Sequence, residues 1–360
     1  MRTLPARCFL AAAAASLLPA QVAVFDVRED YGLRRFGYPA RANFAFEGDP
    51  ATLRLLDGGK PVPAQFTRIA PGRVDADFSV SIGPGEARRF TVERGEPAPA
   101  GPGIRVEETA DAFLVRYPQG LEFEVRKDLR GLLHAARQRD LVYLKPGSRG
   151  LLIGGAPPGT FKGRVAKRGP LVAALAFESG EARDGAVEIE FPRSKSWAEV
   201  RWHGAADARE LAAELNLELE GEPTLVHFGA GTMVYAALRK GQAAALRATA
   251  AAPGRPEWMI EAGGQPYASG VGFPLDGWAH VMDARRATAL AVDGFARGPA
   301  GTRETIETRP GGLLRVARES APGARGNGLR FWVHFVVMPV EVGAATSPQS
   351  MQNPLRIVWR

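Results

Sequence analysis

Apolar and polar residues alternate with a period of two along most of the chain. Phe78, Val80 and Ile82 alternate with Asp77, Ser79 and Ser81; Leu121, Phe123 and Val125 alternate with Glu122, Glu124 and Arg126; Val187, Ile189 and Phe191 alternate with Glu188 and Glu190. Near the C-terminus Leu329, Phe331, Val333 and Phe335 fall on one face. In an extended chain successive side chains point to opposite sides, so this pattern places one row in a core and the next toward water. Turn chemistry separates the runs at Asp57-Gly58-Gly59, Gly83-Pro84-Gly85 and Pro310-Gly311-Gly312. The pattern predicts an all-β protein of antiparallel sheets packed face to face. One segment departs from it: Asp207 to Glu220 is rich in Ala, Glu and Leu, good helix formers, and predicts a short helical turn running into a strand at Leu215, Leu217 and Leu219.

Between Arg94 and Gly103, Gly95, Pro97, Pro99, Gly101, Pro102 and Gly103 crowd together and no apolar period survives. This predicts a boundary between a small N-terminal β-barrel or sandwich, residues 21–97, and a large two-sheet antiparallel β-sandwich, residues 98–360. Gly147 to Gly159 and Ala262 to Gly272 read as long surface loops. Residues 1–20 carry Arg2 and Arg7, an apolar run from Cys8 to Leu18, and Pro19-Ala20, the pattern of a secretory signal peptide too short to span a bilayer. The expected location is therefore secreted or periplasmic, with no membrane segment once the signal is removed. Cys8 is the one cysteine, so the mature protein is expected to lack disulfides and thiolate chemistry.

With 45% apolar residues in 360, the chain has the composition of a folded protein with a large core. Its formal charge of +7 falls to +5 without Arg2 and Arg7, and its arginines are spread beside Asp and Glu through nearly every segment. A nucleic-acid binder concentrates its positive charge, so that class is excluded as a reading. Arginine forks suit carboxylates, which is compatible with an acidic polysaccharide.

No Gly-x-Ser-x-Gly elbow, phosphate-binding loop, His-Glu-x-x-His or EF-hand loop is present. No metal or cofactor is expected from these signatures. Only five histidines occur, and two repeat one arrangement, Trp278-Ala279-His280 and Trp332-Val333-His334. On a strand the tryptophan and histidine of each pair share a face. An indole offers a surface for a sugar ring, and an imidazole beside it bonds a hydroxyl or moves a proton near neutral pH. His280 and His334 are accordingly the candidate base or acid, with Tyr267 as phenolic partner. Trp278 and Trp332 are candidate stacking surfaces, Arg330 a carboxylate clamp, and Asp283 a further substrate contact. Each has a structural reading beside the functional one: the Trp and His pairs as core residues, Asp283 as a turn cap, Tyr267 as a loop anchor.

Leu53-Arg54-Leu55-Leu56-Asp57-Gly58-Gly59-Lys60-Pro61-Val62-Pro63-Ala64-Gln65-Phe66 resembles the opening of the small N-terminal β-barrel in secreted bacterial exo-rhamnogalacturonan lyase-like (YetA-like) proteins. Gly277-Trp278-Ala279-His280-Val281-Met282-Asp283, followed by Arg286-Ala287-Thr288-Ala289, is similar to strands of their large sandwich, of the galactose-mutarotase-like super-sandwich type. The resemblance implies elimination on an acidic, pectic polysaccharide. It carries over no catalytic residue, and the helical segments of full-length members have no counterpart in the pattern. The alternatives are a non-catalytic carbohydrate-binding or cell-surface module and a domain associated with a glycoside hydrolase, in each case with a polysaccharide or oligosaccharide as partner and the oligomeric state left open.

Overall fold

Among the described residues, five antiparallel sheets hold nearly all the regular structure. The computed structural model describes residues 21–205, 208–220, 225–230, 232–236, 242–252, 255–272, 277–321, 327–337 and 343–360. The expected signal segment, residues 1–20, and Asp207 lie outside the described residues.

Two sheets form around residues 21–94. One is five-stranded, in the order Arg356–Trp359, Gln21–Arg28, Ala87–Arg94, Leu53–Asp57, Lys60–Val62; the other is three-stranded, Arg35–Ala45, Arg73–Ile82, Ala64–Ala70. They enclose a core of Phe25, Leu53, Phe78, Phe90 and Val92, in which Phe25 stacks on Phe90 at 5.7 Å. The last strand of the chain belongs to this sheet, with Phe25 opposite Trp359. No strand falls between Arg94 and Arg105.

Three further sheets, of five, seven and nine strands, share a second core. Phe113 and Phe123 enter it from the five-stranded sheet, Leu211, Leu246 and Ile306 from the seven-stranded one, and Phe177, Phe191 and Phe331 from the nine-stranded one. A single antiparallel bridge from Leu144 to Leu217 ties the first two sheets together. The alternation read from the sequence accounts for this: Leu329, Phe331, Val333 and Phe335 all reach the same core from one strand, Asn327–Val337. All described strand pairs are antiparallel, and the all-β class expected from the pattern is what the structure has.

Two local expectations are corrected. The described part of the segment expected to begin as a helical turn is a strand, Glu210–Asn216, between Leu151–Ile153 and Leu313–Glu319. Leu211, Ala213 and Leu215 enter the core while Glu214 on the other side bonds Arg149, so sheet burial overrides helix propensity. The loop expected to carry Tyr267 is largely the strand Gln265–Val271, paired with Arg255–Ala262 through the Gly263-Gly264 turn.

The small sheets are fastened to the large ones by buried polar contacts. The Gln65 amide accepts from the Leu171 and Val172 N–H groups at 3.0 and 2.9 Å and donates to the Val172 carbonyl at 3.0 Å. Gly169 makes room for it: a Cβ there would fall 2.3 Å from the amide carbon. Gln65→Ala leaves three buried backbone groups without partners and is expected to cost about 2–3 kcal/mol, measured by urea unfolding. A loss within about 0.5 kcal/mol would mean that water replaces the amide. On the other side of the seam the fully buried Arg35 bonds Glu29 at 3.0 Å and the carbonyls of Ser350 and Asn353 at 2.9 and 2.7 Å, tying the helix Gly343–Gln352 to the small unit.

Candidate functional site

The nine-stranded sheet has an inner face in the core and an outer face that carries the residues singled out in the sequence. Ala279, Val281, Leu290, Leu329, Phe331 and Val333 point inward. The residues between them point outward and line up across strands, because antiparallel register sets them opposite one another. One row runs His227, His280, Ala289, His334, Trp197, and the next runs Gly229, Trp278, Ala291, Trp332, Glu199, Glu190. The two Trp-x-His pairs therefore share one face of one sheet, separated by the alanines of the strand Arg286–Val292. Gly229 lets the Trp278 indole lie across its strand: a Cβ there would fall 2.0 Å from the indole nitrogen.

This outer face is covered. The helix Gly343–Gln352 packs on the strand Arg286–Val292, and the Gln352 amide donates to the carbonyls of Gly277 and Val292. Met351 and Tyr38 join Trp197, Trp278 and Trp332 in a buried cluster. Trp278 and Trp332, at 1% and 3% exposure, thus serve as packing surfaces under the helix. His280 is 2% exposed, with its ring 5.8 Å from that of His227; burial first, then His227, pulls its pKa down to about 4. His334 packs edge-on against Trp197 at 5.8 Å, and burial, then Lys195 and His280, draws its pKa down to about 3. Both imidazoles are neutral at physiological pH.

The remaining candidates separate. Tyr267 is 57% exposed on the edge strand of the seven-stranded sheet, away from the outer face of the nine-stranded one. Asp283 is buried in the turn between Trp278–Met282 and Arg286–Val292, where it accepts from the N–H groups of Arg285, Arg286 and Glu220 and pairs with Arg286 at 2.9 Å. That is the turn-cap arrangement, which consumes its acceptor capacity. Arg330 sits 4.8 Å above the Trp332 ring and pairs with Glu199 at 2.6 Å and Asp293 at 3.2 Å.

Arg330 leads to a cavity of about 190 Å³ at the junction of the small unit, the outer face and the segment after the helix. Its polar side holds three arginines and three carboxylates. Arg41 pairs with Asp77 at 2.5 Å and Glu190 at 2.6 Å, and Arg201 holds Glu199 by two bonds of 2.8 Å. Its apolar side is formed by Tyr38, Trp197, Trp332 and Leu355. Burial acts to raise Glu190, but Arg41 and Arg201 outweigh it and hold the carboxyl below its ordinary range. Burial pushes Asp77 up and the Tyr38 phenol up to about 12. Neither the glutamates nor Trp197 stood out in the sequence. The alternation of Glu188 and Glu190 reads as a solvent-facing edge, and nothing local announces that residues 38–41 cover it. Among the described residues no group of three or more His, Cys, Asp and Glu side chains is arranged to hold a metal ion. No helix among them is long and apolar enough to cross a membrane.

No family model matches the chain, and no curated protein matches it. Solved structures share its fold. It is similar to a protein in the glycosyl hydrolase family 38 from Enterococcus faecalis, with a TM-score of 0.57 at 10% identity over 94% of this chain and 47% of that one. It is also similar to an alpha-mannosidase from Enterococcus faecalis V583, with a TM-score of 0.53 at 9% identity over 94% of this chain and 46% of that one. The chain spans about half the length of these proteins, and at such identity the likeness is one of fold.

Proposed function

We propose that the protein is a carbohydrate-active β-sandwich module that recognises a neutral sugar unit in the cavity between Arg41, Glu190, Glu199, Arg201 and Arg330. The observation that carries this reading is the composition of the cavity wall. A sugar hydroxyl both donates and accepts, and paired guanidinium and carboxylate groups offer both at fixed positions beside the apolar side of Tyr38 and Leu355. Each lining arginine already has a carboxylate partner, so the wall has no surplus cation and favours a neutral ring over a uronate. The fold neighbours, a protein in the glycosyl hydrolase family 38 and an alpha-mannosidase, support carbohydrate as the ligand class.

Calorimetric titration with methyl α-mannoside, rhamnose and galactose tests the reading. Pro354, exposed at the cavity rim, takes no part in the ion pairs. Pro354→Trp is expected to weaken binding by about tenfold or more with unchanged melting temperature. Wild-type protein that retains none of these sugars at millimolar concentration would sink the proposal.

A second reading is elimination on a pectic polysaccharide, with His280 or His334 as base and Arg330 as clamp. The sharing of one face by the two Trp-x-His pairs favours it, whereas the burial of His280 and the distant strand of Tyr267 weigh against it. Appearance of ultraviolet-absorbing unsaturated uronate ends, lost in a His280→Ala, His334→Ala double variant, would put it first. Either reading goes with residues 1–20 as a secretory leader, and Gln21 as the first residue of exported protein would bear that out.

A further inference from the structure

Behind the wall formed by Tyr38 and Trp197 lies a second cavity, of about 280 Å³, whose electrostatics are the reverse of the first. Among the described residues no acidic side chain lines it, while Arg34 and Lys195 do. The Lys195 ammonium donates to the Phe36 carbonyl at 2.7 Å and stands 5.7 Å from the centre of the Trp197 ring. Among the described residues neither Lys195 nor Arg34 has a carboxylate within ion-pair distance. This is unusual in a chain where the arginines of the neighbouring cavity are all paired. Arg35, also in the lining, is committed to Glu29 and two carbonyls, and so adds no net charge. Ser194, Ser196 and the neutral imidazole of His334 bring further polar groups, and Phe36, 67% exposed, stands at the rim.

We propose that this second cavity is an oxyanion subsite that takes the carboxylate, sulfate or phosphate group of a charged sugar between Lys195 and Arg34. Two cations without a counter-charge beside an aromatic wall are the chemistry that holds such a group against an apolar ring. The partly buried ammonium of Lys195 is itself held below the ordinary lysine value, first by burial and then by Arg35, a cost that a bound anion relieves. The subsite rests on the sugar-binding reading above only for the statement that a sugar carries the anion. It assigns charge selectivity to Lys195 and Arg34, and leaves neutral recognition to the cavity on the other side of Tyr38 and Trp197.

The test is titration of the full chain at low ionic strength with inorganic sulfate, galacturonate, a sulfated hexose, mannose 6-phosphate and the corresponding neutral sugars. Charged sugars are expected to bind about tenfold tighter than neutral ones, with the advantage reduced at about 0.15 M salt. Lys195→Met, and more strongly the Arg34→Ala, Lys195→Met double variant, removes the advantage and leaves neutral-sugar binding unchanged. The ranking of carboxylate, sulfate and phosphate distinguishes the source of the anion. Equal affinity of wild-type protein for charged and neutral sugars, or a double variant that keeps the advantage, overturns the proposal. Lys195-dependent binding of sulfate without any neutral-sugar binding would uphold the anion subsite and sink the sugar reading instead.

Discussion

Replacement of Lys167 by methionine is expected to lower stability by about 3–5 kcal/mol, because it takes one partner out of a buried charge cluster. Lys167 ends the strand Phe161–Lys167 of the nine-stranded sheet, and its ammonium reaches across the seam to Asp75 at 2.6 Å and Asp77 at 3.0 Å on the strand Arg73–Ile82 of the small unit. All three side chains are buried. Asn43 adds a hydrogen bond to Asp75 at 2.8 Å, and Arg41 pairs with Asp77 while sharing its other edge with Glu190. A methionine of similar length keeps the packing and removes the charge, leaving two buried carboxylates to one guanidinium that a third already occupies. Burial works to raise Asp75, and the bonds from Lys167 and Asn43 presently outweigh it. Without Lys167 that balance reverses, and the aspartates take up protons or water instead of closing the seam. Urea unfolding at pH 7 measures the loss. Combining Lys167→Met with Asp75→Asn and Asp77→Asn removes the orphaned charges and is expected to recover about half of it. A single variant within about 1 kcal/mol of wild type would show that solvent already screens the cluster.

The class of the fold was legible because it depends on a local quantity. Each strand announces its inner face through alternation, and Phe331, Val333 and Phe335 sit in the core that the period assigned them. The pairing of Trp278 with His280 and of Trp332 with His334 on shared faces followed from the same geometry. That both pairs belong to one face did not, because the strand between them, Arg286–Val292, contributes Ala287, Ala289 and Ala291 to that face, and strand order is not written in any short segment. Nor did the sequence signal that this face is covered. An outward row of Trp and His reads alike whether water or a helix lies above it, and the helix Gly343–Gln352, with its internal Pro348 and weak amphipathicity, gives no strong period of its own. The cavity residues were missed for a related reason. Arg41, Glu190 and Glu199 each look like an ordinary polar position on an alternating strand, and they become a site only when residues 38–41 of the small unit meet the strands Ala186–Pro192 and Trp197–Ala205. Gln65, at the end of Lys60-Pro61-Val62-Pro63-Ala64-Gln65, anchors this meeting.

Acidification from pH 7 to pH 5 is expected to protonate buried histidine at a cost in stability, and His280 is the group that reports it. A buried imidazole with its pKa drawn from 6.5 down to about 4 binds its proton more weakly in the folded state than in the unfolded one. Its contribution is therefore fully present above pH 6.5 and is lost as the pH falls toward 4. The cost reaches about 2 kcal/mol by pH 5 and about 3 kcal/mol by pH 4. His334, drawn down to about 3 by burial and Lys195, acts with the same sign over the same window. Carboxylates held low by arginine, such as Glu190, also lose stability on acidification, from the ordinary carboxylate range downward, whereas Asp77 and Glu304, pushed up by burial, act with the opposite sign, so the histidine contribution is read as a difference between wild type and variant. The measurement is the unfolding free energy of wild type and of His280→Asn at pH 7 and at pH 5. The amide is smaller than the ring but polar and cannot take up a proton, so the variant is expected to lose about 2 kcal/mol less than wild type between the two values. Its absolute stability at pH 7 does not enter the comparison, so a variant weakened by imperfect packing still gives a clean answer. Equal losses in both proteins would mean that His280 keeps access to solvent or to a carboxylate, and that the face beneath the helix is wetter than its burial indicates.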